Sequence, residues 1–256
     1  RGSSAILSLG ERPKATRLKK FNDINLQTSL QIFYNNKILK MKKVSLKICG
    51  ITNSQSVKTA YKNKIRSLGF ASNNLNGPNT ATDKKIQILI KECKNYKIES
   101  VLLTRFVSLD KLIKQIDFTK PKTISCSYHF KKNELQLLRK TFKRLKIGIA
   151  VNPENFNIKY LQNIKNIVNI IYYDLNVYKP NSIKTYALAK CLKQIQTIKN
   201  LSIPVFIGGG INEEKANKII NLLNPEGIDV SRNLKNAKNI ISSKKLKNFL
   251  QQVAVA

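Results

Sequence analysis

Apolar and polar residues alternate with two different periods along most of the chain. In residues 44–48 (VSLKI) every second residue is apolar, which predicts a β-strand. After Asn53 the apolar residues recur every three or four positions, and Asn53 or Ser54 is suited to cap a helix. A cysteine, Cys49, stands between the two patterns. The stretch is therefore predicted to be a strand, a short loop and a helix.

The same unit recurs through the rest of the chain. The predicted strands are residues 44–49, 67–71, 99–106, 123–128, 146–151, 169–175, 204–207 and 227–230. The predicted helices are residues 53–64, 82–95, 109–116, 133–143, 158–163, 183–199, 213–223 and 243–252. Turn residues fill residues 72–80, which are predicted to form a loop.

The alternation of strands and helices predicts a single parallel α/β domain. The strands are nearly continuous apolar runs, as expected when both faces of a sheet are buried. Eight strand–helix units favour a closed (β/α)8 TIM barrel, and an open, doubly wound sheet is the alternative. In either fold, side chains that follow the carboxyl ends of the strands are the candidates for chemistry.

Residues 1–40 do not share this pattern. They show no clean period, and the only methionine of the chain is Met41. We expect residues 1–40 to be a leader or extension outside the fold, with residues 41–256 forming the barrel. A targeting segment is the alternative interpretation of the first part.

The composition restricts the partners more than the fold. The formal net charge is +33, with lysines spread along the whole chain. Because no localised basic patch stands out, we expect no specific nucleic-acid partner, while the positive field would attract an anionic small molecule. No apolar run reaches the length of a membrane span. The four scattered cysteines favour a reducing, cytoplasmic location.

Few groups near the predicted strand ends are reactive. They are Cys49, Asp174, Asp229 and His129. A lone cysteine is usually a small buried residue, and Asp174 is equally suited to cap the next segment. We expect His129 to be structural. Because one histidine and scattered cysteines give no ligand spacing, we expect neither a metal nor a cofactor.

Three consecutive glycines at residues 208–210 precede the predicted helix at residue 213. Glycine lets backbone N–H groups approach an anion, and a helix N-terminus adds a favourable dipole. The loop is therefore predicted to bind phosphate, with a simple tight turn as the alternative.

Three motifs together resemble a known family. KICGIT at residues 47–52, PVFIGGGIN at residues 204–212 and GIDVS at residues 227–231 are similar, in order, to motifs of phosphoribosylanthranilate isomerase. The resemblance spans roughly residues 41–250 and implies a general base at Cys49 and a general acid at Asp174. Cys49 would have to act as a thiolate, which cationic surroundings favour.

The resemblance also implies how a phosphorylated sugar would be held. Its phosphate would meet Gly209, Gly210 and the turn at Ser231 and Arg232. Asp229 would either position the substrate or hold the last loop.

The chain departs from the family at three loops. Where the family has Ser-Pro-Arg, with the arginine on the substrate carboxylate, this chain has Asn79, which lacks the bidentate charge of arginine. Arg66 or Arg105 is a possible substitute. A glycine-rich loop is replaced by residues 177–182. The family's S-S-G-V-E reads SRNLK at residues 231–235, so the glycine that lets the backbone approach phosphate is lost, and Arg232 is expected to contact the phosphate directly instead.

The resemblance implies an intramolecular oxidoreductase (aldose–ketose isomerase) of tryptophan biosynthesis, acting on a small phosphosugar. It would convert N-(5-phosphoribosyl)anthranilate to 1-(2-carboxyphenylamino)-1-deoxyribulose 5-phosphate. Two alternatives follow from the departures. The first is a barrel that acts on another phosphosugar, and the second is an inactive homologue with a binding or structural role. The sequence predicts no oligomeric state.

Overall fold

A computed structural model describes residues 44–179 and 182–255. The predicted leader at residues 1–40 lies outside these residues. Among them the strands are β1 (Ser45–Ile48), β2 (Ser67–Ser72), β3 (Thr80–Ala81), β4 (Glu99–Thr104), β5 (Thr123–Cys126), β6 (Lys146–Val151), β7 (Ile170–Asp174), β8 (Asn176–Lys179), β9 (Ser182–Thr185), β10 (Val205–Gly208) and β11 (Gly227–Val230).

Helices alternate with these strands. They are α1 (Ser54–Lys62), α2 (Asp83–Asn95), α3 (Leu109–Thr119), α4 (Lys132–Thr141), α5 (Ile158–Ile164), α6 (Leu188–Asn200), α7 (Glu213–Leu223) and α8 (Ser243–Gln252). Short 3-10 turns occupy Asn73–Leu75 and Arg232–Leu234. No helix in this part of the chain is long and apolar enough to cross a bilayer.

Eight parallel strands close into a barrel. The order around the sheet is β1-β11-β10-β7-β6-β5-β4-β2, and β2 pairs back onto β1. Closure rests on the pairs of Lys47 with Ser67 and of Ile48 with Leu68. The prediction of a (β/α)8 barrel is confirmed, and the open sheet is excluded.

Local sequence explains where most helices begin. The side chain at the N-cap accepts a hydrogen bond from a backbone N–H of the first turn at Asn53, Thr82, Ser108, Asn157, Asn212 and Ser242. The predicted cap at Asn53 is thus confirmed, with the Ser56 N–H donating over 2.8 Å. Such caps hold the strand-to-helix loops, and these loops carry the candidate site.

The strands have two different apolar faces. Ile171 and Tyr173 of β7 belong to the main core shared with the helices. Tyr172 points the other way, into a smaller cluster with Val101 and Phe206. Because neighbours along a strand face opposite sides, this smaller cluster fills the interior of the barrel.

The prediction was wrong after β7. Residues 177–179 of the predicted loop lie in β8, and the first part of the predicted helix at residues 183–199 lies in β9. The two strands pair antiparallel as a β8–β9 hairpin, in which Tyr178 is opposite Ile183. The segment from residue 182 reads SIKTY, and its β-branched and aromatic residues favour a strand. Helix α6 begins only at Leu188.

Smaller differences concern the predicted loop and the strand ends. The predicted loop at residues 72–80 contains a 3-10 turn and reaches the two-residue strand β3. Strands β4 and β5 end at Thr104 and Cys126, two residues earlier than predicted. The other boundaries agree within about three residues, the usual scatter of helix and strand ends.

Candidate active site

The structure brings the predicted site residues to one end of the barrel. Cys49 follows β1, Asp174 ends β7, Gly209 follows β10, and Asp229 and Ser231 lie at the end of β11. In a parallel barrel these are all carboxyl ends of strands, so they face one mouth. Gly210 and Arg232 belong to the same two loops, and Asn79 stands before β3.

A buried ion pair lies beneath this mouth. Lys47 of β1 and Asp229 of β11 are opposite each other in the sheet, and Lys47 Nζ lies 2.5 Å from Asp229 Oδ2. The Lys47 side chain is 1% exposed and also lies over the ring of Tyr172. Burial alone would lower the pKa of Lys47, but the charges of Asp229 and Cys49 outweigh burial, and the pKa is raised. Lys47 is therefore a fixed positive charge.

Cys49 lies against Lys47 on the wall of the barrel. A methyl group added to Gly69 of β2 would lie 2.9 Å from Cys49 Sγ and 3.1 Å from Lys47 Nζ. The thiol and the ammonium therefore occupy the space that the absent side chain of Gly69 leaves. The end of β11 holds the Cys49 backbone at two points, because the Cys49 N–H donates to Val230 O and its carbonyl accepts from Ser231 Oγ.

The free site holds a neutral thiol. Burial raises the pKa of Cys49 by more than the ammonium of Lys47 lowers it, Asp229 raises it further, and Lys235 lowers it. The predicted cationic surroundings are present, but they only offset the cost of burying a thiolate. Of the four free cysteines, Cys49 is the one that is partly exposed.

Asp174 is a carboxyl group with a raised pKa. Burial raises the pKa of Asp174 to about 6, and repulsion from Asp229 adds to the rise, while the N–H of Asn176 opposes it. That N–H donates to Asp174 Oδ1 over 2.9 Å, so the alternative prediction that Asp174 caps the next segment also describes the structure. At neutral pH roughly a tenth of the carboxyl groups still hold a proton.

The glycine loop approaches Asp174 closely. Gly209 has φ +98°, and a methyl group added there would lie 2.5 Å from Asp174 Oδ1. Only glycine fits this position without strain. The loop then reaches the N-terminus of α7, where Asn212 accepts from the Lys215 N–H.

The loops after β10 and β11 form one cradle. Asn233 Nδ2 donates to the carbonyl of Ile211 and ties the two loops together. Lys215 Nζ lies 3.4 Å from Gly209 O, which adds a positive charge at the edge of the cradle. Backbone N–H groups, a helix N-terminus and cations together can bind a phosphate group.

The two predicted substitutes for the missing arginine lie at opposite ends of the barrel. Arg66 precedes β2, at the amino end of the barrel, so it is too far away to replace the arginine. Arg105 follows β4 at the mouth, where its backbone pairs with Asn74 of the loop after β2. A third cation, Lys235, is nearly fully buried beside Gly50, and the sequence did not predict its presence at the site.

The hairpin contributes one side chain to the site. Tyr178 on β8 lies near Asp174 and lowers the pKa of that carboxyl group. Tyr178 is also 64% exposed. The segment that replaces the family's glycine-rich loop therefore supplies a polar group at the mouth.

His129 has surroundings that fit the structural role expected for it. It follows β5 and stacks on Tyr160 with ring centroids 4.5 Å apart. Partial burial lowers its pKa. Within residues 44–179 and 182–255, no group of three His, Cys, Asp or Glu side chains is placed to hold a metal ion.

A large basic cavity lies at the other end of the barrel. It has a volume of 730 Å³ and is lined by the chain segments that enter β5 and β6. Its cationic side chains are Lys94, Lys120, Lys122, Lys140, Lys143 and Arg144. None of the candidate catalytic residues contributes to it, so this cavity is separate from the site at the mouth.

The sequence reasoning missed Lys47 and Lys235. Lys47 had a signal, since a charged residue inside an otherwise apolar strand requires a buried partner, and GIDVS offers Asp229 in a strand of the same sheet. Lys235 had none, because its burial depends on how the turn after β11 folds back onto Gly50.

The fold and the site together define a (β/α)8 barrel whose mouth carries a thiol, a carboxyl group with a raised pKa and a glycine loop beside a helix N-terminus. No protein-family model matches the chain. Over 215 residues it is 23% identical to N-(5'-phosphoribosyl)anthranilate isomerase 2 of Methanosarcina mazei, an alignment covering 81% of this chain and 92% of that protein.

Solved structures show the same fold. The N-(5'-phosphoribosyl)anthranilate isomerase from Pyrococcus furiosus matches with a TM-score of 0.63 at 20% identity, covering 82% of this chain and 98% of that one. A phosphoribosyl anthranilate isomerase in complex with reduced 1-(o-carboxyphenylamino)-1-deoxyribulose 5-phosphate matches with a TM-score of 0.62 at 16% identity, covering 82% and 97%. The resemblance drawn from the three motifs is confirmed.

Proposed function

We propose that this chain is a divergent phosphoribosylanthranilate isomerase that works by general acid–base catalysis. The observation that carries the proposal is the placement of Cys49 and Asp174 at one barrel mouth, at the ends of β1 and β7, with Asp229 on β11 between these two strands. The Methanosarcina mazei relative of that name supports it over nearly its whole length. An inert barrel would not need a thiol and a raised-pKa carboxyl group in this arrangement.

The phosphate of the substrate would bind in the cradle of Gly209, Gly210, Ser231 and Arg232. This end of the molecule offers backbone N–H groups and the N-terminus of α7. Arg232 and Lys215 add positive charge beside them. The ribose would then lie over the centre of the barrel, between Cys49 and Asp174.

Asp174 would open the sugar ring. Its carboxyl group donates a proton to the furanose ring oxygen as the C1–O bond breaks, and the anthranilate nitrogen supplies the electron pair that forms the protonated imine. A carboxyl group with a pKa of about 6 keeps a proton available near neutral pH.

Cys49 would then remove the proton from C2. The thiolate takes this proton, and the C2 electron pair forms the enol-amine. The Cys49 thiol then returns a proton to C1 while the C2 hydroxyl gives up its own proton, which produces the ketose. Lys47 lies beside the thiol and favours its ionised form. Asp229 Oδ1 is buried and has no hydrogen-bond partner within the described residues, so it is suited to accept from a substrate hydroxyl. Apart from the C1–O bond that breaks when the ring opens, the steps transfer only protons, so the reaction requires no cofactor.

Turnover of freshly made phosphoribosylanthranilate by the full chain tests the proposal. Loss of anthranilate-type fluorescence reports the reaction, and Cys49→Ala is expected to lower kcat by about a thousandfold with the fold intact. Cys93→Ala is the matched control, because Cys93 is buried in α2 and has no part in the mechanism. A fully active Cys49→Ala variant would remove Cys49 from the role of base.

No turnover by the folded wild-type chain would overturn the isomerase assignment. The same pair and cradle would then favour another phosphosugar, in line with Asn79 at the position of the arginine.

We also propose a reducing, cytoplasmic location, because all four cysteines are free thiols.

A further inference from the structure

Lys235 is a lysine that the fold buries. It follows the 3-10 turn after β11 and is only 4% exposed. Its Nζ donates to the carbonyl of Gly50 over 2.6 Å, and its own carbonyl accepts from Lys245 Nζ. Lysine is almost never buried to this degree unless its charge is compensated.

No carboxylate compensates Lys235 directly. Within the described residues no acidic oxygen lies within 4.0 Å of its Nζ, in contrast to Lys47, which has Asp229 at 2.5 Å. The ionisable groups that act on Lys235 are Cys49 and Lys47 of β1 and Asp229 of β11. Cys49 has the largest effect among them, so the thiol is the group most able to supply the missing negative charge.

The position of Lys235 restores a charge that the sequence lacks. A methyl group added to Gly50 would lie 3.1 Å from Lys235 Nζ and 3.2 Å from Asn79 Cβ. The ammonium therefore lies next to Asn79, where the resembled family has an arginine. The positive charge absent at residue 79 is supplied from the loop after β11.

We propose, resting on the function proposed above, that Lys235 is a positioning residue that stabilises the thiolate of Cys49 and fixes the Gly50 carbonyl beside it. With the thiolate formed, the ammonium groups of Lys47 and Lys235 balance the two negative charges of Cys49 and Asp229. Without Lys235, both anions share Lys47 alone. Burial lowers the pKa of Lys235 to about 8, so this support is present at neutral pH and is lost as the pH rises past that value.

Two tyrosines also interact with the thiol, Tyr172 of β7 and Tyr178 of β8. Asp174 of β7 and Arg232 of the turn after β11 act in turn on Tyr178. They stay unchanged in the variants below, so a difference between variants reports Lys235.

Alkylation of Cys49 by iodoacetamide measures the thiolate directly, because only the thiolate reacts. The other cysteines of the chain, Cys93, Cys126 and Cys191, are all fully buried, so the folded protein is expected to react at Cys49. The rate is measured from pH 5 to pH 10 on the full-length wild type, Lys235→Met and Lys235→Arg. Lys238→Met is the matched control, since Lys238 is exposed in the same loop.

The thiol midpoint is expected to be lowest in Lys235→Arg and nearly the same in wild type and Lys235→Met, because the wild-type lysine is already neutral where the thiol titrates. At pH 7, where Lys235 is charged, loss of its ammonium in Lys235→Met is expected to slow alkylation about tenfold. Lys238→Met should follow the wild type. Superimposed profiles for wild type and Lys235→Met, or an equal slowing in Lys238→Met, would overturn the proposal.

If Lys235→Met does not fold, the comparison of wild type with Lys235→Arg decides. Arginine keeps its charge above pH 8, so a lower midpoint supports the proposal and an unchanged or higher one contradicts it. Kinetics give a second readout. The kcat of Lys235→Met relative to wild type should be lowest at neutral pH and approach one toward alkaline pH, whereas the ratio would be independent of pH for a purely structural defect. Alkylation needs no substrate, so absent turnover would overturn the proposed function and not this inference.

Discussion

The two sides of the barrel mouth are built differently. On the side of β1 and β11, charged groups are buried and held by polar contacts. Lys47 forms an ion pair with Asp229, and Lys235 donates a hydrogen bond to the Gly50 carbonyl. On the side of the β8–β9 hairpin, every residue of β9 is exposed, and the ion pairs of Lys179 and Lys184 with Glu154 lie at the surface. The first side holds the groups of the proposed chemistry rigidly, and the second can change its sequence at little cost in stability.

Loss of the buried pair should have the largest effect on stability. Lys47→Met leaves Asp229 buried without its partner, so we expect the free energy of unfolding to fall by about 3 kcal/mol in denaturant titrations. The matched control is Lys146→Met, which breaks the half-exposed pair with Glu99 and should cost under about 1 kcal/mol. Equal losses in the two variants would mean that burial does not distinguish these pairs.

Asp174 should lower stability while it supports activity. Its pKa is raised above that of the unfolded chain, so the native state binds the proton more tightly, and stability falls as pH rises from about 4 to about 6. Asp174→Asn removes this cost. We expect it to be more stable than wild type by about 1–2 kcal/mol at pH 8, and nearly equal at pH 4.

The same variant should lose activity by about a hundredfold or more, because asparagine cannot donate the proton. Thermal unfolding at the two pH values and turnover at pH 7 check both statements. A variant that is inactive but less stable than wild type at pH 8 would show that Asp174 is a structural cap and not a destabilised acid.

Gly209→Ala should reduce activity more than stability. The added methyl group would press on Asp174 Oδ1 in a backbone conformation that alanine rarely adopts. We expect kcat/KM to fall about tenfold or more, together with weaker inhibition by inorganic phosphate. Gly77→Ala is the control, since a methyl group there meets nothing within 4 Å. Unchanged phosphate inhibition in Gly209→Ala would count against the cradle.

The smallest effect is expected at the hairpin. Glu154→Gln removes the partner of Lys179 and Lys184 at the protein surface. Because exposed ion pairs contribute little, Tm and kcat should both stay close to the wild-type values. A marked loss of kcat would mean that the hairpin positions the substrate and is not merely a replaceable edge.

The parts of the fold that sequence predicts are those set by periodicity. The strand at residues 227–230 and the helices at residues 213–223 and 243–252 match the structure, because apolar period and capping residues agree there. The hairpin was missed, since residues 183–187 could be read as the start of α6 and only their pairing with β8 makes them a strand. Tertiary contact overrode local preference.

The candidate site also has residues that the sequence predicts and residues that only tertiary contacts place. Cys49, Asp174 and the glycine loop were predicted because they stand at strand ends, whose position follows from the barrel. The burial of Lys235 depends on the path of a turn and on its contact with Gly50, which no local pattern encodes. The neutral state of the Cys49 thiol likewise reflects a balance of burial against two lysines that only three-dimensional distances decide.

The pH dependence of kcat/KM tests the acid–base pair most directly. The proposed reaction requires that Asp174, whose pKa is about 6, is protonated at the same time as Cys49, whose pKa is raised, is ionised. The product of those two fractions rises up to about pH 6, stays level to about pH 8, and falls once the alkaline groups have titrated. We predict this plateau for the wild-type chain. A rate that declines steadily from pH 6, or still climbs tenfold between pH 6 and pH 8, would contradict the pairing of Cys49 with Asp174.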